Sequence, residues 1–276
     1  MMNRTPDLQR VRQTTDEGEE KYRTIAGKEI FLIIGNSGLR DKISKRMSYL
    51  VGNNVEVNTD QPLTHPELYQ TSEGINLCEC PDFIYHTNIE IKLCQSMAIE
   101  LVTNIAKKIP GLIIVIDYND FYTCRGTAYR DLTNILGKLS GSQFGLLFQS
   151  SVFVVVNKPA KSAVDFKPRI LSTLEGIISD YAQENDSHPN MHLEFSRLLV
   201  AHSNQLVILD ESDHGESRAE IFSALYNVIP VNSSTLDFDA FYHDLMRGLQ
   251  FNIRQYINDT IKGHAALQKT FEIPHL

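Results

Sequence analysis

The stretch Phe31-Leu32-Ile33-Ile34-Gly35-Asn36-Ser37-Gly38-Leu39-Arg40-Asp41-Lys42-Ile43-Ser44 decides how the chain is read. Four apolar residues run into a glycine, as in a strand buried on both faces. Asn36-Ser37-Gly38 has the composition of a tight turn, and a polar helix start follows. Strand, turn and helix in that order form the setting of the phosphate-binding pattern G-x-x-x-x-G-K-[ST]. In that pattern backbone N–H groups wrap phosphate, lysine reaches its outer oxygens and the hydroxyl holds magnesium. Counted from Gly35, the last glycine, the lysine and the hydroxyl are replaced by Arg40, Asp41 and Lys42. Arg40 brings a side chain to a point of close backbone approach, and Asp41 sets a carboxylate where a cation should meet phosphate. A shifted register offers a second reading, in which Gly35, Asn36, Ser37 and Gly38 form the loop, Lys42 stands for the lysine and Ser44 for the magnesium-holding hydroxyl. That loop is longer than the pattern and lacks its final glycine.

Outward from this stretch, apolar β-rich runs recur at 29–35, 74–80, 111–117, 151–157 and 205–210. Leu112-Ile113-Ile114-Val115-Ile116 and Val152-Phe153-Val154-Val155-Val156 lack alternation and read as parallel strands between two helical layers. Helical periodicity fills 40–51, 88–109, 126–139, 166–183, 191–201, 217–226 and 238–268. Alternating strands and helices predict an α/β fold, a doubly wound, mostly parallel sheet with helices on both faces. Residues 52–72 read as an irregular loop with one short edge strand near 55–57. The chain divides into a polar segment (1–28), the α/β domain (29–235) and a helical extension (236–276). The extension carries an amphipathic stripe of Phe241, Leu245, Leu249, Ile253, Tyr256, Ile257 and Ile261, fit to pack on its own domain or on a partner.

The chain has 276 residues and a formal net charge of −8. With no Lys/Arg-rich block, that balance argues against general nucleic-acid binding, which needs clustered cations to neutralise phosphates. Cysteines at 78, 80, 94 and 124 make no C-x-x-C pair and read as reduced core thiols of an intracellular, cytoplasmic protein. The first 28 residues hold no apolar core for a secretory signal, and no run is long enough for a membrane span.

Several other groupings invite a chemical reading. His188 and His192 have metal-ligand spacing if helical, but Pro189 and Asn190 favour a surface loop. Asp117 or Asp120 could offer a metal carboxylate; a polar loop capping a strand end is the simpler account. Leu206-Val207-Ile208-Leu209-Asp210-Glu211 has the form of an ATPase strand whose aspartate holds magnesium, or else of the last strand of the sheet.

Taken in order, the strand-end residues resemble those of a GTPase domain of the P-loop class, nearest to the septin and immunity-associated branch, over roughly residues 29–230. In that family the third strand ends in Asp-x-x-Gly, often Asp-Thr-Pro-Gly-Phe, with the aspartate holding magnesium through water. Here it reads Glu79-Cys80-Pro81-Asp82-Phe83: the acid is one methylene longer and Asp82 replaces the glycine. Asn157-Lys158-Pro159-Ala160 is similar to the guanine-reading Asn-Lys-x-Asp, with Ala160 where the base-reading aspartate would stand. The switch threonine implied by the resemblance is Thr59, Thr64 or Thr71. The resemblance implies a cofactor site formed by Gly35, Asn36, Ser37, Gly38, Lys42, Ser44, Asn157 and Lys158, with Ser44 and Glu79 near the metal. Because Asp41 and Asp82 would both face phosphate, the expectation is a pseudo-GTPase with impaired nucleotide binding, no catalytic residues and no resident cofactor. It would act as a protein-interaction or assembly module, with a protein partner or as a homodimer. The alternative is a working nucleoside triphosphatase that takes GTP or ATP with magnesium through Lys42, Ser44 and Glu79.

Overall fold

A computed structural model describes residues 19–35, 50, 65–81, 89–122, 127–157, 166–183, 191–210, 215–232 and 236, without the side chains of 19, 89–96 and 181–183. Its centre is a six-stranded sheet of β1 (Phe31–Gly35), β2 (Glu67–Gln70), β3 (Asn76–Glu79), β4 (Leu112–Asp117), β5 (Ser151–Val156) and β6 (Leu206–Ile208). The strands lie in the order β2-β3-β1-β4-β5-β6. All neighbours are parallel except the β2–β3 hairpin at one edge. Every residue of β1, β4 and β5 is buried, as their unbroken apolar runs require.

Because side chains alternate across a strand, each of these runs feeds two cores. Leu32, Ile34, Ile114, Ile116, Phe153 and Val155 point to one face, and Phe31, Ile33, Ile113, Val115, Val152 and Val154 to the other. Helices α1 (Glu19–Ile25), α2 (Ile89–Ile105), α3 (Thr127–Ser140), α4 (Phe144–Gln149), α5 (Phe166–Gln183) and α6 (Met191–Ala201) place core residues on the first face. There Phe195 of α6 meets Phe153 edge-on, with ring centroids 5.1 Å apart. Helix α7 (Glu216–Asn227) covers the second face through Ile221, Phe222 and Leu225, joined by Leu50. Arg218 of α7 donates to the carbonyl of Leu50 at 2.9 Å and to the Glu73 carboxylate at 2.6 Å, tying this helix to the hairpin turn.

The strands and helices follow the periodicity of the sequence, and α5 and α6 coincide with the expected spans. The hairpin departs from expectation. Residues 67–70 form a strand rather than part of an irregular loop, and Gly74 begins no strand but sits in the turn at φ 81. In that left-handed conformation glycine carries no Cβ penalty. Thr71 and Gly74 close the turn, the Thr71 N–H donating to Ile75 at 2.9 Å. Residues 19–25, inside the polar N-terminal segment, form a helix that buries Tyr22 and Ile25. The edge strand near 55–57, the helix at 40–51 apart from Leu50, and the helix at 238–268 lie outside the described residues.

His192 belongs to α6 and is 2% exposed, so the surface-loop reading does not hold for it. Its ring meets Tyr129 edge-on at 5.0 Å. Burial, aided by the Arg130 charge, lowers its pKa from 6.5 to about 4. The unfolded chain therefore takes up this proton first as pH falls. The stabilisation is complete above pH 6.5 and is lost between there and pH 4, in total about 3 kcal/mol. Urea titrations at pH 7.5, 6 and 5 should show stability falling less steeply with acid in His192→Gln than in the wild type, and parallel curves would refute the assignment.

Candidate functional site

In open α/β sheets a ligand crevice forms outside the carboxyl ends of the strands, where neighbouring connections leave toward opposite faces. Leu50, in the connection that follows β1, packs on the second face, whereas α2 after β3 and α3 after β4 pack on the first. The reversal therefore falls at β1, which lies between β3 and β4. Gly35 ends β1, Glu79 ends β3, Asp117 ends β4, and Asn157 follows β5. Ile33 pairs with Glu79, and Gly35 with Val115. At about 4.8 Å between strands, Glu79 and Asn157 stand roughly 14 Å apart across the sheet, which suits two ends of an extended ligand better than one compact centre.

The two ends are built differently. At the β3 end, Glu79 is 4% exposed and accepts a hydrogen bond from Tyr69 at 3.2 Å. The Tyr69 hydroxyl also lies 2.7 Å from Glu67, whose other oxygen takes Lys21 of α1 at 2.8 Å. Glu67 and Glu79 are direct cross-strand partners, an arrangement of like charges that is repulsive unless bridged. Burial and the carboxylates of Glu79 and Glu67 push the Tyr69 phenol pKa well up, so it stays protonated as the donor between them. Sequence reading missed this chain because it placed no strand at 67–70; the alternation of Glu67 and Tyr69 was the available signal.

At the β4–β5 end, Asp117 is the convergence point. One carboxylate oxygen accepts the backbone N–H of Asn119 at 2.8 Å and its amide at 3.0 Å, while the other accepts the side-chain amide of Asn157. Asp117 thereby caps the short turn Tyr118–Phe121, in keeping with the simpler reading of this residue. Asn157 has φ 62, a left-handed conformation that asparagine tolerates better than most residues. Its side chain is turned to β4, so the first residue of the Asn-Lys motif braces the loop. Next to it the buried Tyr118 hydroxyl has no partner within hydrogen-bond geometry among the described residues, and its ring lies in an aromatic group with Tyr122 and Phe166.

Other expected residues fall differently. Thr71 sits in the turn before β3, at the opposite end of that strand from Glu79, and so leaves the set of switch candidates. Asp210 follows edge strand β6, three strands from β1; its backbone N–H donates to Ser217 at 3.1 Å. At roughly 14 Å across the sheet it is too far to share a metal with a loop at Gly35, which rules out the ATPase reading of that strand. Asn36, Ser37, Gly38, Lys42, Ser44, Asp82, Lys158, Ala160 and His188 lie outside the described residues. Among the described residues no group of three or more His, Cys, Asp or Glu is placed to hold a metal, and no helix is long and apolar enough to cross a membrane.

No family model and no curated protein matches the chain. Among solved structures it is similar to Toc33 from Arabidopsis thaliana in complex with Mg2+ and GMPPNP, at 13% identity over 80% of this chain and 95% of that one, with a TM-score of 0.43. It is similar also to Era from Aquifex aeolicus bound to GDP.AlF4-, at 11% identity over 77% of this chain and 60% of that one, with a TM-score of 0.39. A third likeness is to Era in complex with MgGDPNP and nucleotides of 16S ribosomal RNA, at 10% identity over 75% of this chain and 59% of that one, with a TM-score of 0.42. The case for the fold rests on the strand order and register of the chain itself.

Substitutions at two positions test the β4–β5 end. Asn157→Ala loses the bond to Asp117 and forces a Cβ-bearing residue to keep positive φ, for a cost of about 2–3 kcal/mol; Asn157→Gly loses only the bond and should cost about 1 kcal/mol less. Equal losses in denaturant titration would show that backbone strain plays no part. Tyr118→Phe removes a buried, unpaired hydroxyl and should leave stability unchanged or raise it by up to about 1 kcal/mol; a loss larger than that would reveal a partner for the hydroxyl.

Proposed function

We propose that this chain is a GTPase-like α/β domain in which nucleotide binding is impaired, and that it works as a protein-interaction or assembly module. The observation that carries the reading is the reversal of connections at β1, which puts a nucleotide-type crevice beside a sequence that has lost the groups such a crevice needs. Arg40 and Asp41 stand where glycine and lysine would serve phosphate, Asp82 where a glycine N–H would donate, and Ala160 where an acid would read guanine. Asp41 and Asp82 would repel phosphate oxygens, and a methyl at 160 forfeits two hydrogen bonds to the base. The described residues add support. The Asn157 amide is committed to Asp117, and the Glu79 carboxylate takes the Tyr69 hydroxyl. This donor set does not fit a magnesium nucleotide in the usual manner, so no step of hydrolysis is assigned to it.

The proline and aromatic of Pro81-Asp82-Phe83 resemble those of the septin and immunity-associated branch. Its members offer the model for the partner: a second copy meeting this one across the crevice. Net charge of −8 and the lack of a basic block support a protein rather than a nucleic acid as that partner. The buried cysteines 78 and 80 support a cytoplasmic setting.

Titration of the purified chain with fluorescent GTP and ATP, with and without magnesium, tests the reading. Binding weaker than about 100 μM for both, against the −8 kcal/mol that a micromolar complex represents, is the expected outcome. Micromolar, magnesium-dependent binding that Lys42→Ala abolishes would overturn it in favour of a working nucleoside triphosphatase built on Lys42, Ser44 and Glu79.

A further inference from the structure

The β2–β3 hairpin is lightly held by the sheet itself. Among the described residues β3 meets β1 over three register positions, against six between β4 and β5, and β2 pairs with β3 at the sheet edge. What seats the hairpin lies outside this ladder. Arg218 of α7 joins three elements at once: its Nε donates to the Leu50 carbonyl at 2.9 Å, and one Nη donates to the Glu73 carboxylate at 2.6 Å and to the Ser72 hydroxyl at 3.4 Å. The guanidinium carbon lies 5.3 Å from the centre of the Phe222 ring, and the side chain is 20% exposed, so the fork is pre-organised by packing as well as by its bonds. The bond from Arg218 lowers the Glu73 carboxyl pKa from 4.5 to about 2. The second brace, Lys21 to Glu67, comes from a lysine side chain that is 43% exposed, a setting in which an ion pair holds little.

We propose that Arg218 is a latch on the β2–β3 hairpin: engaged, it seats β3 on β1 with Glu79 at the carboxyl end of the sheet, and released, it lets the hairpin lift from the sheet edge as one unit and carry Glu79 away. An edge unit with few bonds of its own opens at a lower free energy than the whole domain, and the contacts absent from the ladder set that energy. Arg218 is placed to set it because its bonds span the moving turn, at Ser72 and Glu73, and the fixed second face, at Leu50 and Phe222. The opening has a built-in reporter. Cys78, next to Glu79 in β3, is 0% exposed while the hairpin is seated. The inference concerns the seating of Glu79 and is independent of nucleotide: it holds whether the crevice at β1 is empty or filled.

Alkylation of Cys78 by iodoacetamide in the full chain under reducing conditions, read by peptide mass mapping, tests it alongside amide hydrogen exchange. A buried thiol is inert until its surroundings open. In the wild type Cys78 should be at least about tenfold less protected, relative to an unstructured peptide, than the amides of β4 and β5, since the hairpin opens without the rest of the sheet. Arg218→Met keeps an apolar stem over Phe222 and removes every bond of the fork, and should speed Cys78 alkylation by about tenfold, whereas Lys21→Met should speed it by less than about threefold. Should Arg218→Met fail to fold, Glu73→Gln keeps the arginine, weakens its grip on the turn, and should speed alkylation about threefold. Cys78 protection equal to that of β4 and β5 would mean that the thiol is reached only by global unfolding. That result, alkylation unchanged in Arg218→Met or in its substitute Glu73→Gln, or an effect of Lys21→Met as large as that of the arginine variant would each overturn the proposal.

Discussion

The position of β1 between two parallel neighbours is the constraint on which the rest of the molecule depends. Its five residues are buried on both faces, so each backbone polar group has to be met within the sheet, and β3 and β4 do this from either side. Once β1 is central, the connections from it and from its neighbours must cover opposite faces to hide Phe31 and Ile33 on one and Leu32 and Ile34 on the other. The crevice at Gly35 is a by-product of that coverage, present whatever residues follow the glycine. The architecture is therefore set by burial on the two faces, independently of the chemistry of the residues beyond Gly35.

The same division explains what was legible in the sequence. Unbroken apolar runs announced β4 and β5, because strands hidden on both sides have no polar face to interrupt them. Helices α5 and α6 were legible to the residue, since Phe166, Ile170 and Leu174 repeat at the helical period and the prolines at 168 and 189 suit a first turn and a preceding loop. Strand β2 was not, because its four half-exposed residues make one turn of alternation and resemble the loop they emerge from. Helix α4 was hidden by the opposite fault: Phe144-Gly145-Leu146-Leu147-Phe148 is too short and too uniformly apolar to show a period.

The candidate site was less legible than the fold, for a physical reason. Its defining contacts join residues far apart in the chain: Asn157 with Asp117, 40 positions away, and Lys21 with Glu67, 46 away. Each partner alone has an ordinary local meaning, a strand-end asparagine or a capping aspartate. The meaning changes only when the register sets Asp117 opposite Val156 and so brings the following Asn157 within reach. Thr71 shows the converse. As a threonine close before the third strand it was a fair switch candidate, and the two-stranded hairpin alone removes it by turning it to the wrong end of β3.

A carboxylate on the inner side of a sheet edge is costly, and the way this protein meets that cost bears on what Glu79 can do. Glu67 and Glu79 face each other across the β2–β3 ladder with one phenolic proton between them, and Lys21 reaches Glu67. Lys21 and Glu67 are partly solvated, so their attraction contributes about 1 kcal/mol at most. A magnesium ion beside Glu79 would neutralise it far better, yet would have to displace the Tyr69 hydroxyl and take up whatever negative charge Asp41 and Asp82 bring near. The Tyr69 hydroxyl holds this acid from the neighbouring strand, and through Glu67 and Lys21 the same contacts brace the hairpin from α1.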